Sequence, residues 1–249
     1  MTPPAPRVRA AYVLVLVATV LAGGCSLLPG APGEAPAVGG APVQYTCGRF
    51  PFGAEMLDRD GGDEAAANPA AAALRDQLAK DSPEMNALPD HGWSLAGIDA
   101  DGAEFVVTGG DLGMRVVTVN SHDPGPWLVT GWGDCQPQRV PPPGLGEASW
   151  TLDPEEPKPG ADSQTFTALV TERDCASGQS SEGRVVGPDI LEVGDKVLVT
   201  FAVKPLGGGM QTCPGNPPTR VVVDLREPLG NRQLLDGGTL PPRDPATDP

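Results

Sequence analysis

Beyond Cys25, four cysteines divide evenly around a proline-rich break. Cys47 and Cys135 precede it, and Cys175 and Cys213 follow it. In an oxidising compartment an even set reads as two disulfides, and four cysteines allow three connectivities. Because the break RVPPPGLGEA falls between the two pairs, the chain's organisation predicts one bridge on each side, Cys47–Cys135 and Cys175–Cys213. Long closed loops of this kind are worth ~3–5 kcal/mol each in the chain-entropy model. Aromatics make up only 4% of the chain, so large cores are hard to build and such crosslinks matter more. A zinc site is the rival reading. It is weak, because there is no C-x-x-C pair and only two histidines are present.

The oxidising compartment is argued from the N-terminus, MTPPAPRVRA AYVLVLVATV LAGGC. Arg7 and Arg9 form a positive n-region, and Ala10 to Ala22 is an apolar run of 13 residues. A membrane span needs ~20 residues, so this run has the size of a signal-peptide core instead. Leu21-Ala22-Gly23-Gly24-Cys25 then resembles a bacterial lipobox. That resemblance implies a diacylglyceryl group on the Cys25 thiol and cleavage just before it, whereas an ordinary secretory signal would leave Cys25 incidental. Two acyl chains, at ~0.8 kcal/mol per buried methylene, hold a protein at a bilayer without any spanning segment.

Charge narrows the partners. The 249 residues carry a formal −15, and the first 24 contain two Arg and no acid, so removing them takes the charge to −17. A body this acidic is repelled by nucleic acid and by anionic head groups. We therefore expect a membrane contact through the lipid on Cys25, no nucleic-acid partner, and a solvated acidic surface. A cell-envelope protein or glycan remains as the class of partner within reach.

The order of turn signals and apolar segments predicts an α+β, mainly β architecture. Residues 1–24 form the leader. Residues 25–43 are a Pro-, Gly- and Ala-rich tether, whose 18 residues from Ser26 to Val43 would span about 23 Å as a flexible coil. Residues 44–140 should form a first domain. Asn68-Pro69 is a helix-start signal before AAAALRDQLAK, with Leu74 and Leu78 on one face and Pro83 marking the stop. Strand-like segments follow at 93–98, 104–108, 114–120 and 127–132, with an Asp101-Gly102 turn between the first two. This is a helix on an antiparallel meander. Residues 141–148 complete the linker. Residues 149–240 should form a β-rich domain, a small sandwich or barrel, with strands near 149–152, 166–171, 184–186, 196–203, 220–225 and 233–235. Alternation in Lys196 to Val203 suggests a strand buried on both faces. Residues 241–249, PPRDPATDP, read as a frayed tail.

Several of these segments carry a family resemblance. CGRFPF, LPDHGW and GWGDC in the first domain, and VTERDCASG, GR, CPGNPPTRVVVDL and EPLGNRQLLDGG in the second, resemble secreted proteins and lipoproteins predicted from high-GC actinobacterial genomes. The resemblance covers most of the mature chain. It implies export, lipidation and two disulfides, and it supplies no catalytic residue.

Catalytic motifs are scarce. Gly178-Gln179-Ser180-Ser181-Glu182 misses the G-x-S-x-G elbow at its last position and reads as a turn. His91 and His122 each adjoin an aspartate, Asp90 and Asp123, but neighbours in a loop seldom orient one another as a catalytic pair. Asp58 to Glu64 is acidic, yet Gly62 and Asp63 occupy the fifth and sixth positions, out of register for a calcium loop, so a solvated loop is the expected state. No Gly-rich loop precedes a helix, and no cofactor, catalytic residue or metal is predicted. Trp93, Trp127 and Trp132 fall on adjacent predicted strands. Indoles there serve most often as core, and otherwise as an exposed platform that could bind sugar rings.

The reading that follows is a non-enzymatic, lipid-anchored extracytoplasmic binding or interaction protein at the outer face of the cell membrane. The alternatives are a cell-envelope hydrolase using acidic residues and an accessory subunit of a transporter or envelope complex. A hydrolase predicts a pocket holding a shifted acid or histidine.

Overall fold

The computed structural model describes residues 42–58, 62–80, 88–108, 113–122 and 125–246. The leader, Cys25, Pro83, Asp123 and the tether up to residue 41 lie outside the described residues. What is described is mostly β, with antiparallel sheets and one α-helix. Among these residues no helix is long and apolar enough to cross a membrane.

The helix, α1 (Pro69–Leu78), begins as its local chemistry requires. Asn68 is extended, its side-chain oxygen accepts from Ala71 N at 2.8 Å, and Pro69 takes the first position, where no N–H is needed. Ala70, Ala71 and Leu74 are buried on a four-stranded meander. Its strands are β3 (Ser94–Ile98), β4 (Gly102–Thr108), β5 (Met114–Asn120) and β6 (Leu128–Cys135), paired in that order. At the β3–β4 turn Asp99 Oδ1 accepts from Asp101 N (2.9 Å) and Gly102 N (3.0 Å), the side-chain bonding that makes Asp a turn residue.

β4 is buried along six of its seven residues because both faces of the sheet are covered. Ala103, Phe105 and Val107 face the helix side, with Trp93, Val117 and Val119. Val106 faces Phe52 and Met56, which belong to the N-terminal segment on the opposite side. That segment contains β1 (Gln44–Thr46), β2 (Phe52–Gly53) and two short 3-10 turns. With β7 (Gln138–Arg139) it makes a three-stranded sheet ordered β2-β1-β7. Cys47 and Cys135 are bonded, which ties β1 to the end of β6.

The second large sheet contains β8 (Gly146–Leu152), β9 (Thr165–Glu172), β10 (Val185–Val193), β11 (Lys196–Val203), β12 (Thr219–Asp224) and β13 (Gln233–Asp236). The order is β10-β11-β8-β9-β12, and β13 pairs β11 in parallel. β11 gives one edge to β10. Its other edge is shared: residues 196–199 pair with β13, and 202–203 pair with β8. The sheet therefore splays into a half-barrel, filled by Trp150, which stacks on Phe166 (5.6 Å) and meets Phe201 edge-on (6.1 Å). Trp150 Nε1 donates to Val199 O at 3.0 Å, so the buried indole keeps its polar atom satisfied. In β11, Val197, Val199, Phe201 and Val203 are core, whereas Leu198 and Thr200 are only half-buried, so burial on both faces holds near its C-terminal end alone. Cys175 and Cys213 are bonded, closing the loops beyond β9 and before β12.

The segment after residue 240 is docked rather than frayed as far as it is described. Asp236 N donates to Arg243 O (2.8 Å), and Leu152 N donates to Pro245 O (2.9 Å). Backbone groups that would otherwise lack partners explain the docking, since β8 and β13 each have an edge to satisfy here. A further stitch runs through β7: Arg139 N donates to Gly238 O (2.8 Å), Leu240 N to Pro137 O (3.0 Å) and Val140 N to Gln44 O (2.8 Å). β7 thus bonds to β1 on one side and to residues 238–240 on the other.

Candidate functional site

These stitches leave a cleft of about 530 Å³ where β1 and β7 approach β10 and β11. One wall is Val43, Gln44, Gln138, Arg139 and Val140, continued by Pro141, Pro142, Pro143 and Leu145. The other is Val186, Gly187, Asp189, Thr200, Phe201 and Ala202, and the floor includes Glu147, Ala148 and Gly238. Most of this surface is apolar, which is usual for small-molecule sites of this size.

Local backbone chemistry shapes the second wall. The β10–β11 register shifts between Val186 and Asp189. Gly187 sits at that shift with φ +110°, and a Cβ there would lie 3.1 Å from Asp189 N and 3.2 Å from Thr200 O. Only glycine accepts both the torsion and the close approach. The irregularity places Asp189 opposite β7, where Arg139 Nη2 donates to Asp189 Oδ2 at 2.8 Å and Arg139 Nη1 donates to Thr200 Oγ1 at 3.2 Å.

Glu147 is the second acid of the cleft. Burial pushes its carboxyl above the usual range. Arg173 opposes the shift, with Nε 3.6 Å from Oε2, and the negative charge of Asp174 adds to it. Tyr45, paired with Arg139 across the β1–β7 ladder, is likewise raised by burial, against the pull of the Arg139 charge.

The residues singled out from sequence are distributed differently. Trp93 is fully buried in the helix-side core, with its indole N–H on Pro89 O at 2.9 Å. It presents no surface. Trp127 is partly buried against the same core, and Trp132 is 41% exposed on the edge strand β6. The three indoles therefore form no common platform. His91 Nδ1 contacts Asp90 Oδ1 with both side chains in solvent, and that contact holds the Asp90 carboxyl below its ordinary value. His122 is also exposed. Ser180 lies in the loop beyond Cys175, and the neighbouring Ser181 is buried with its hydroxyl 3.0 Å from Thr219 Oγ1.

The acidic stretch ending at Glu64 is not simply solvated. Asp63 Oδ2 accepts from Leu95 N (2.9 Å), and the buried Glu64 accepts from Gly92 N (3.0 Å) and Trp93 N (2.9 Å). These carboxylates satisfy backbone donors at the start of β3. Among the described residues no three His, Cys, Asp or Glu side chains converge as ion ligands.

Three motifs of the second half do converge. Glu172 of VTERDC, Arg184 of the Gly183-Arg184 pair and Asn216 of CPGN meet beside the Cys175–Cys213 bridge. Arg184 pairs with Glu172, and Asn216 Nδ2 donates to Glu172 O (3.0 Å) and Asp174 O (2.7 Å). The arrangement is structural, since the Glu172 carboxylate is buried and its charge is met by Arg184.

Sequence reasoning did not single out Arg139, Glu147, Asp189 or Thr200. The first two lie in or beside the proline-rich run, and no spacing pattern links them to Asp189 and Thr200. No family model matches this chain, and no curated protein or solved structure does so either.

Proposed function

We propose that the protein is a lipid-anchored, extracytoplasmic binding protein, held at the outer face of the cell membrane through Cys25 and taking its ligand in the cleft beside β7. The observation that carries the binding half is the cleft itself: about 530 Å³, largely apolar, with a few fixed polar groups. The anchoring half rests on the n-region, the short apolar core and the LAGGC motif. The two crosslinks fit an exported protein.

Three measurements test the two halves. Native mass spectrometry of protein purified from its own membrane should find acyl chains on Cys25. Cys25→Ala should either release soluble protein or leave the precursor uncleaved, and a processed, membrane-bound C25A protein would end the anchoring proposal. A co-purifying small molecule should disappear with Val186→Trp, which places an indole in the cleft. Retention of that molecule by a folded V186W protein would remove the cleft from the argument.

The hydrolase reading has one observation in its favour, the upward-shifted carboxyl of Glu147 inside a cleft. It predicts turnover of cell-envelope material that Glu147→Gln abolishes. Equal turnover by wild type and E147Q would dispose of it.

A further inference from the structure

Resting on the cleft as binding site, we infer that its ligand is a small organic cation: an apolar body seated between the proline run and β11, with an ammonium or guanidinium group against Glu147. Three charged side chains line the cleft, Arg139, Glu147 and Asp189. The one cation among them is already engaged, on Asp189 at 2.8 Å and on Thr200 at 3.2 Å. It has little left to offer an incoming anion. Asp189 is likewise committed to Arg139.

Glu147 is the group left under-compensated. Its ion-pair partner, Arg173, is outside the lining and stands 3.6 Å away, beyond hydrogen-bond distance. Asp174 contributes a further negative charge nearby, and the unfavourable burial of the Glu147 charge is what a bound cation would relieve. The lining is therefore net negative, on a chain whose formal charge is itself −15. An anionic ligand would have to enter against that field, whereas a cation gains from it. The proline rings with Val140 and Val186 supply the apolar contact that a hydrated inorganic cation could not use.

The test uses the mature lipidated protein in neutral phosphatidylcholine nanodiscs, with empty nanodiscs as control. Three probes share one apolar ring and differ in head group: cyclohexylmethylammonium, cyclohexylmethanol and cyclohexanecarboxylate. Affinities are read by saturation-transfer NMR. The expected result is roughly tenfold tighter binding of the ammonium than of the carboxylate, with the alcohol between. Glu147→Gln should bring the ammonium down to the alcohol, and Val186→Trp should block all three. A carboxylate bound as tightly as the ammonium by wild type would overturn the charge assignment while leaving the cleft as binding site. Binding of none of the probes, or binding that V186W leaves intact, would overturn the cleft reading and this inference with it. The wild-type rank order alone decides the charge question, whether or not E147Q folds.

Discussion

Arg184 closes both terminal nitrogens on the carboxylate of Glu172, Nη1 to Oε1 at 2.9 Å and Nη2 to Oε2 at 2.5 Å. The Glu172 side chain is 1% exposed, and Arg184 also donates to Lys204 O and Ser180 O. Removing one partner leaves a buried charge without compensation. Arg184→Ala should cost about 3–5 kcal/mol in urea unfolding, and replacing both partners by apolar residues should recover a large part of that. A loss below about 1 kcal/mol for R184A would show the pair to be as weak as a surface ion pair.

Asp236 provides a pH-dependent case. Burial raises its carboxyl above the ordinary value, although Gly238 N and Arg243 both favour the charged form. The native state therefore holds a proton in a window where the unfolded chain has released it. The linked stability is full at low pH and is lost as pH rises through the folded value. Arg243→Ala removes the compensating cation and widens that window. Its penalty against wild type should be about 3 kcal/mol near pH 7 and clearly smaller near pH 4. A penalty independent of pH would mean that Arg243 acts through packing alone.

The two disulfides should not be equivalent. Their sequence separations are 88 and 38 residues. Loop-closure entropy then assigns about 4.6 kcal/mol to Cys47–Cys135 and about 3.9 kcal/mol to Cys175–Cys213. Paired Cys→Ala variants compared by thermal unfolding should show the greater loss for the first bridge. The reverse order would point to residual structure or native strain as the dominant factor.

Asn68 carries the start of the single described helix. Asn68→Ala should cost about 1 kcal/mol, and Asn68→Asp should be close to neutral, because either side chain can accept from Ala71 N. Equal losses for both would separate the cap bond from the stability of α1.

Much of the fold was legible because it is written locally. Asn68-Pro69 announced α1, Asp101-Gly102 marked the β3–β4 turn, and nine of the ten longer strands showed enough apolar pattern to be placed, whereas only the first two residues of β10 were expected as strand. The three short strands β1, β2 and β7 were missed, since two or three residues cannot display a period of two. The parallel pairing of β13 with β11 was equally hidden, because it depends on a return of the chain that no turn residue signals. The cleft escaped for the same reason. Arg139 is separated from Asp189 by 50 residues and from Thr200 by 61, and only the folded sheets bring them together. Buried acids such as Glu64 and Glu172 look like surface charge until their partners are placed.

The return of residues 241–246 has a reach beyond its own few bonds. It clasps β13 through Asp236 and β8 through Leu152, and the stretch just before it, at Gly238, holds the backbone of Arg139. A protease that nicked the chain near Pro241 would cut about a hundred residues away from Arg139 in sequence yet loosen the strand on which the cleft's one lining guanidinium rides. Shortening the C-terminus is thus expected to register as altered ligand capture well before it registers as unfolding.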